Sequence, residues 1–233
     1  MELFDLKGYG WLLWKGARLT VLVGLSSMAL AILFGMVASW GKLSSSRTAK
    51  VAADAYTTIV RGVPELVTIL LVYYGVPTLI QNMLASMGIE FVINLNPFVA
   101  GISTIGFIYG AFTTDVFRGA YMAVPRGQIE AARAVGMSRM LTLRRVILPQ
   151  MWRFALPGLG NVWMVLIKAT ALVSIIQLPE LMRNADIASR ATRLPFTFYF
   201  AASLIYLLIT TVSMAFQKQI EKWADRGVRR IQS

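Results

Sequence analysis

The stretch Leu19-Thr-Val-Leu-Val-Gly-Leu-Ser-Ser-Met-Ala-Leu-Ala-Ile-Leu-Phe-Gly-Met-Val-Ala-Ser-Trp40 contains no charged residue. A helix crossing a bilayer needs about 20 mostly apolar residues, and this stretch supplies them. Four others read the same way, at 55–84, 97–122, 154–178 and 195–216. All five are long and continuous, without the period-two alternation of a membrane β-barrel strand. The sequence therefore predicts an all-α membrane protein, one domain over 1–233, with five transmembrane helices. The first run is long for a signal-peptide core, and its strongest basic flank follows it, so it is expected to be a retained span.

Composition agrees: 57% of the 233 residues are hydrophobic, 15% are charged, and mean hydropathy is +0.62. Soluble domains carry roughly a quarter charged residues. The chain has no Cys and no His. That removes disulfides, thiolate nucleophiles, catalytic imidazoles and Cys/His metal sites, and no catalytic or metal site is expected. The net charge of +12 then needs a cause. Lys42, Arg47, Lys50 and Arg61 lie at the first connection between spans, and Arg118, Arg126, Arg133, Arg139, Arg144, Arg145 and Arg153 at the third. Lys218, Lys222, Arg226, Arg229 and Arg230 lie in the tail, which makes 16 of the 23 basic residues. Cytoplasmic loops carry the excess of Lys and Arg, so the N-terminus is expected in the periplasm and the C-terminus in the cytoplasm. This accounts for the charge better than nucleic-acid binding does.

The longest cytoplasmic connection, about 125–153, reads as two short helices lying outside the bilayer. Ile129, Ala132, Gly136, Met140, Leu143 and Ile147 recur at helical spacing and form one apolar stripe, with Arg133, Arg139, Arg144 and Arg145 opposite. Gly136 allows a bend, and Pro149 is expected to end or kink the second helix. Such a hairpin could be an amphipathic surface element or a docking element for a cytoplasmic partner.

Glu130-Ala131-Ala132, three residues, Gly136, nine residues, then Val146-Ile147-Leu148-Pro149 resembles the EAA loop of ABC-importer permeases; Val146 replaces the family's usual isoleucine. The resemblance extends along nearly the whole chain. Arg61-Gly-Val-Pro64-Glu65-Leu66, Asp115-Val-Phe-Arg118-Gly119, Ala155-Leu-Pro157-Gly-Leu-Gly160-Asn161 and Lys168-Ala-Thr170-Ala-Leu-Val-Ser174 are similar to segments of polar amino-acid permeases. Within that family the chain resembles the Q-type permeases of histidine/lysine/arginine/ornithine and opine (octopine, nopaline) importers. The resemblance implies a pathway shared with a second, M-type permease, two ABC ATPase subunits and a periplasmic substrate-binding protein, in a bacterial inner membrane. It implies that Glu130, Ala131, Ala132, Gly136, Val146, Leu148 and Pro149 dock on an ATPase. ATP and Mg would belong to the ATPases, with no cofactor in this chain; no Gly-x4-Gly-Lys-Ser/Thr occurs in the sequence.

Polar residues inside spans are costly and normally face a bundle interior or a wet cavity. Asp115, Asn161, Lys168, Thr170, Ser174 and Glu65 are therefore candidates for the substrate path. Asp115 could pair with Arg118 at i, i+3 or serve as a counter-charge to substrate; the family usually has Glu there. Lys168 is expected to face the bundle, paired with Asp115, Glu65 or backbone carbonyls. Thr170 and Ser174 could satisfy their own helix's carbonyls or line the path. Pro64 predicts a kink or break near the start of the second span. The alternative to an ABC permease is an ion-coupled secondary transporter using Asp115 and Lys168, which leaves the EAA-like loop without a role.

Overall fold

The computed structural model describes residues 6–224. The described residues form eight helices: α1 (Gly10–Leu43), α2 (Arg47–Gly62), α3 (Glu65–Ser86), α4 (Pro97–Met122), α5 (Arg126–Ala134), α6 (Arg139–Ile176), α7 (Leu181–Thr192) and α8 (Pro195–Ala224). Five of them, α1, α3, α4, α6 and α8, are long and apolar enough to cross a membrane. Arg226, Arg229 and Arg230 lie outside the described residues.

The stretch expected as one span at 55–84 is divided. Its first part belongs to α2, a separate amphipathic helix capped by Ser46, whose Oγ accepts from Ala49 N. The division falls at Val63, which is extended (φ −97°, ψ 132°) because it precedes Pro64. The span itself is α3.

α1 and α4 form the centre of the bundle, each other's most extensive neighbours. Small residues let their backbones approach, as in other membrane helix pairs. A Cβ on Gly106 would sit 2.6 Å from the Leu30 Cβ, and one on Gly35 would overlap Thr113. Hydroxyls then stitch the pair in both directions: Thr113 Oγ1 donates to the Ala31 carbonyl at 2.6 Å, and Ser27 Oγ to the Ile102 carbonyl at 3.3 Å. Val23, Ile105, Ile108, Leu166, Val173 and Ile176 fill the core between α1, α4 and α6. α8 packs on α6 and α7, while α3 and α8 turn most of their surface outward.

Two of the spans contain a π-turn, at Leu71–Gly75 in α3 and Leu143–Ile147 in α6, each just before a proline, Pro77 or Pro149. Proline lacks an N–H and clashes with the carbonyl four residues back; the wider turn makes room for it. Pro149 was expected to end or kink the second helix, and the ending is corrected. It does not end a second short helix: α6 runs on through it into the membrane span.

Candidate functional site

The α5–α6 connection is a helical hairpin. Gly136 sits at φ +79° just past α5, where Met137 N bonds the Ala132 carbonyl and Gly136 N the Arg133 carbonyl. This is a Schellman ending, and it favours glycine. Ser138 then starts α6, its Oγ accepting from Leu141 N. Gln150 Nε2 donates to Gln128 Oε1 at 2.6 Å and ties the two helices. Ala132 and Ile147 of the apolar stripe are buried, Ile129 and Leu143 partly so. Met140 departs from the stripe: it is 70% exposed, beside Val135 at 74%. Glu130, Ala131, Gly136 and Pro149 are exposed, and Val146 and Leu148 partly buried.

Asp115 lies in a charge network joining three helices. Arg61 Nη1 donates to its Oδ2 at 2.5 Å, Arg61 Nη2 donates to the Ala111 carbonyl, and the guanidinium lies 4.9 Å from the Phe112 ring centre. Lys42 Nζ lies 3.5 Å from Asp115 Oδ1 and 3.2 Å from Asp54 Oδ1. Asp115 thus pairs with Arg61 and Lys42 and not with Arg118, because the other helices bring stronger partners closer than its own helix does. In the same end of the bundle Tyr56 OH donates to the Phe107 carbonyl at 2.6 Å, and burial pushes the Tyr56 phenol up to about 12.

A second polar node lies toward the far end of α1. Glu180 is fully buried and caps α7: Oε1 accepts from Arg183 N at 2.8 Å, and Oε2 accepts from Thr20 Oγ1 at 3.2 Å and Tyr206 OH at 3.0 Å. Thr20 Oγ1 in turn accepts from Leu181 N, and Asn184 Nδ2 donates to the Leu12 carbonyl. One side chain therefore ties α1, α7 and α8. Burial raises the Glu180 carboxyl above its ordinary range, against the pull of its hydrogen bonds. Asp186 on α7 accepts from Arg190 Nε and Tyr199 OH, each at 3.0 Å, and Arg183 Nη1 lies 3.5 Å away. The Arg190 hydrogen bond foremost holds the Asp186 carboxyl below its usual range.

Between α6, α7 and α8 opens a cleft of about 540 Å³, lined by Lys168, Met182, Tyr199, Ser203, Tyr206 and Thr210 among others. A smaller cleft of about 240 Å³ shares Met182 and Tyr199 with it and reaches Ser174 and Asp186. Lys168 was expected to face the bundle, paired with Asp115, Glu65 or backbone carbonyls; the structure corrects this. The buried face of α6 belongs to Leu159, Leu166 and Ile167, so Lys168 turns to the open side. Asp115 is taken by Arg61, and Glu65 accepts from Tyr109 OH at 3.0 Å. Thr170 is buried and donates to the Ile167 carbonyl of its own helix; Asn161 is exposed on α6. The sequence reading missed Glu180, Asp186 and α7 itself. The signal was present in Pro179-Glu180, an acidic cap, and in Leu181, Ala185 and Ala188 at helical spacing.

The described residues form a bundle in which five helices are long and apolar enough to cross a membrane, with the α5–α6 hairpin between the third and the fourth. Residues 31–226 match the model of the binding-protein-dependent transport system inner membrane component family, and the chain belongs to that family. It is a transmembrane permease subunit of an ABC importer, whose ATPase activity lies in separate partner subunits. It is 45% identical over 225 residues to the histidine/lysine/arginine/ornithine transport system permease HisQ of Salmonella typhimurium, covering 97% of this chain and 98% of that one. It is 46% identical over 223 residues to the nopaline transport system permease NocQ of Agrobacterium fabrum, covering 95% and 94%. Among solved structures, an amino acid ABC transporter with histidines matches at TM-score 0.79 and 32% identity, over 92% of this chain and 94% of that one. The MetNI methionine transporter matches at TM-score 0.73 and 16% identity, over 93% and 98%, a likeness of fold alone. These likenesses do not favour the ion-coupled alternative.

Proposed function

We propose that this permease serves an importer for basic amino acids or opines. The observation that carries the reading is the 45% identity, end to end, with a permease named for histidine, lysine, arginine and ornithine, supported by the nopaline relative. A second, M-type permease completes the pathway in the bacterial inner membrane. A periplasmic binding protein delivers substrate to the outer face, and two ATPase subunits hold ATP and Mg on the inner face. The N-terminus is periplasmic and the C-terminus cytoplasmic, as the basic connections argue.

The hairpin of α5 and α6 is the coupling element. Its exposed Glu130, Ala131 and Gly136, with Val135 and Met140, offer a mostly apolar tip to a groove on the ATPase. ATP-driven closure of the ATPases moves the hairpin, and α4 and α6, which run directly into it, shift the bundle between two states. Asp115 is the latch of that motion and not a substrate ligand. Its two oxygens already hold Arg61 and Lys42, so α4 carries α1 and α2 with it. Arg61 precedes Pro64 at the start of α3, which brings a third pathway helix under the same control.

The test is purification of the intact complex and titration of its binding protein with a panel of amino acids and opines. Basic amino acids or opines should bind most tightly and stimulate ATP hydrolysis and uptake. Tightest binding of an acidic or neutral amino acid would overturn the substrate class.

A further inference from the structure

We infer that the Lys168 ammonium is the attachment point for the α-carboxylate of the transported amino acid or opine, in the cleft between α6, α7 and α8. The inference rests on the importer reading above and adds the chemistry of one contact to it.

Lys168 lies in the last α-helical turn of α6, before the backbone tightens to a 3-10 helix at Thr170–Ile176. Those seven residues rise about 2 Å each, so the ammonium's backbone anchor is roughly 14 Å from the helix end. That depth is within the apolar layer of a bilayer about 30 Å thick. A cation there needs a counter-charge or a wet cavity. Among the described residues the Lys168 ammonium has no hydrogen bond or ion pair. The nearby spans cannot supply one, because their carboxylates are engaged: Asp115 with Arg61 and Lys42, and Glu65 with Tyr109. Glu180 is closed by Thr20, Tyr206 and an α7 N–H, and Asp186 by arginines of its own helix.

The cleft that receives this charge is about 540 Å³, within the range of small-molecule sites. Ser203, Tyr206 and Thr210 on α8 line it; Ser203 Oγ donates to the Phe200 carbonyl and Tyr206 OH to Glu180, which leaves the Thr210 hydroxyl to donate to a second carboxylate oxygen. A cation with a hydroxyl donor beside it selects a carboxylate. That group is common to every amino acid and opine, so Lys168 reads the shared part of the substrate and leaves discrimination between side chains to other contacts.

The test uses the complete transporter in lipid nanodiscs without its binding protein, so that the latter's selectivity does not enter. Equilibrium dialysis compares L-arginine with agmatine, the same molecule lacking the carboxylate, for the wild type, Lys168→Met and Lys168→Arg. A charge-assisted contact predicts that the wild type binds arginine at least about tenfold more tightly than agmatine. Lys168→Met should erase that ratio by weakening arginine alone, and Lys168→Arg should keep most of it. No arginine preference in the wild type, equal weakening of both ligands, or an unchanged ratio in Lys168→Met overturns the inference. So does failure of Lys168→Met to assemble, which would put the ammonium against a partner subunit. Uptake of arginine driven by ATP and binding protein is measured on the same preparation. Its absence would strike the importer reading, whereas its presence with an unchanged ratio would strike Lys168 alone.

Discussion

The two ends of α1 handle charge in opposite ways. At one end Lys42 enters a network in which two cations and two carboxylates neutralise one another across α1, α2 and α4. Some 33 Å away, by helix rise, Thr20 meets Glu180, a carboxylate with no cation bonded to it, held by hydroxyls and the N–H groups that open α7. Paired charges hold their strength while the helices stay in register and lose it steeply when they separate. A carboxylate on hydroxyls pays a desolvation cost that burial imposes whatever its partners do. The first end is built to transmit a displacement, and the second to hold one helix against two others. Lys168, at neither end, has an ammonium without a partner among the described residues.

Removing one partner of the paired end should have the largest effect. Arg61→Ala leaves Asp115 facing Lys42 alone and unties the Ala111 carbonyl. A fully buried pair broken in this way costs roughly 3–5 kcal/mol; Arg61 and Asp115 are 31% and 42% exposed, so about 1–2 kcal/mol is expected. Yield of assembled complex and its thermal midpoint check this. Asp115→Asn should lower uptake of basic and neutral substrates by the same factor, since the carboxylate positions helices. The double variant should be less damaging than the two single losses combined. Selective loss of basic substrates would move Asp115 into the substrate site.

The hairpin offers the next effect. Gly136 needs its positive φ, which costs an ordinary L-residue about 1–2 kcal/mol and Asn less. Gly136→Asn should keep most of the stimulation of ATP hydrolysis by loaded binding protein, and Gly136→Asp should lose most of it at normal assembly levels. The two variants share the backbone demand and differ in charge. Wild-type coupling in Gly136→Asp would remove Gly136 from the ATPase contact.

Legibility followed the range of the interactions. Helix existence and the break at Pro64 rest on twenty-residue hydropathy and a local steric rule, and both can be read from the chain. The path of α6 through Pro149 could not, because the local steric rule allows either a break or a wider turn through which the helix continues. The partners of Asp115 were out of reach for another reason: Lys42 and Arg61 lie 73 and 54 residues away in sequence, and no local pattern marks them. The cap at Glu180 was legible locally, but its burial as a three-helix tie was not, because Thr20 and Tyr206 come from two other helices. Lys168 was misassigned because its helix face depends on where α8 packs.

At the α7 end, titration sharpens the comparison. Burial puts the folded Glu180 carboxyl above its unfolded value of 4.5. The native state therefore binds the extra proton between those two values, and stability falls as pH rises through that window. Glu180→Gln keeps the size and one acceptor of the group and cannot ionise. It should flatten the fall of the thermal midpoint with pH, and its stability relative to wild type should be worst in acid. An unchanged slope would mean that Glu180 does not control it.

Asp186, six residues further along α7, should titrate with the opposite sign and the smallest amplitude. Arg190 holds its folded pKa below the unfolded value. Its contribution is complete above the unfolded value and disappears as pH falls through the folded one. Asp186→Asn should therefore cost stability near neutral pH and nothing in acid. The Arg190 side chain is 78% exposed, so salt screens the pair and the cost should vanish at high ionic strength, while the Glu180 slope stays. Thermal midpoints of the two variants at low and high salt separate the cases. A salt-insensitive Asp186→Asn effect would show that the carboxylate acts through Tyr199 OH, joining α7 to α8, and the cation-free character of this end would then extend from Glu180 to Asp186.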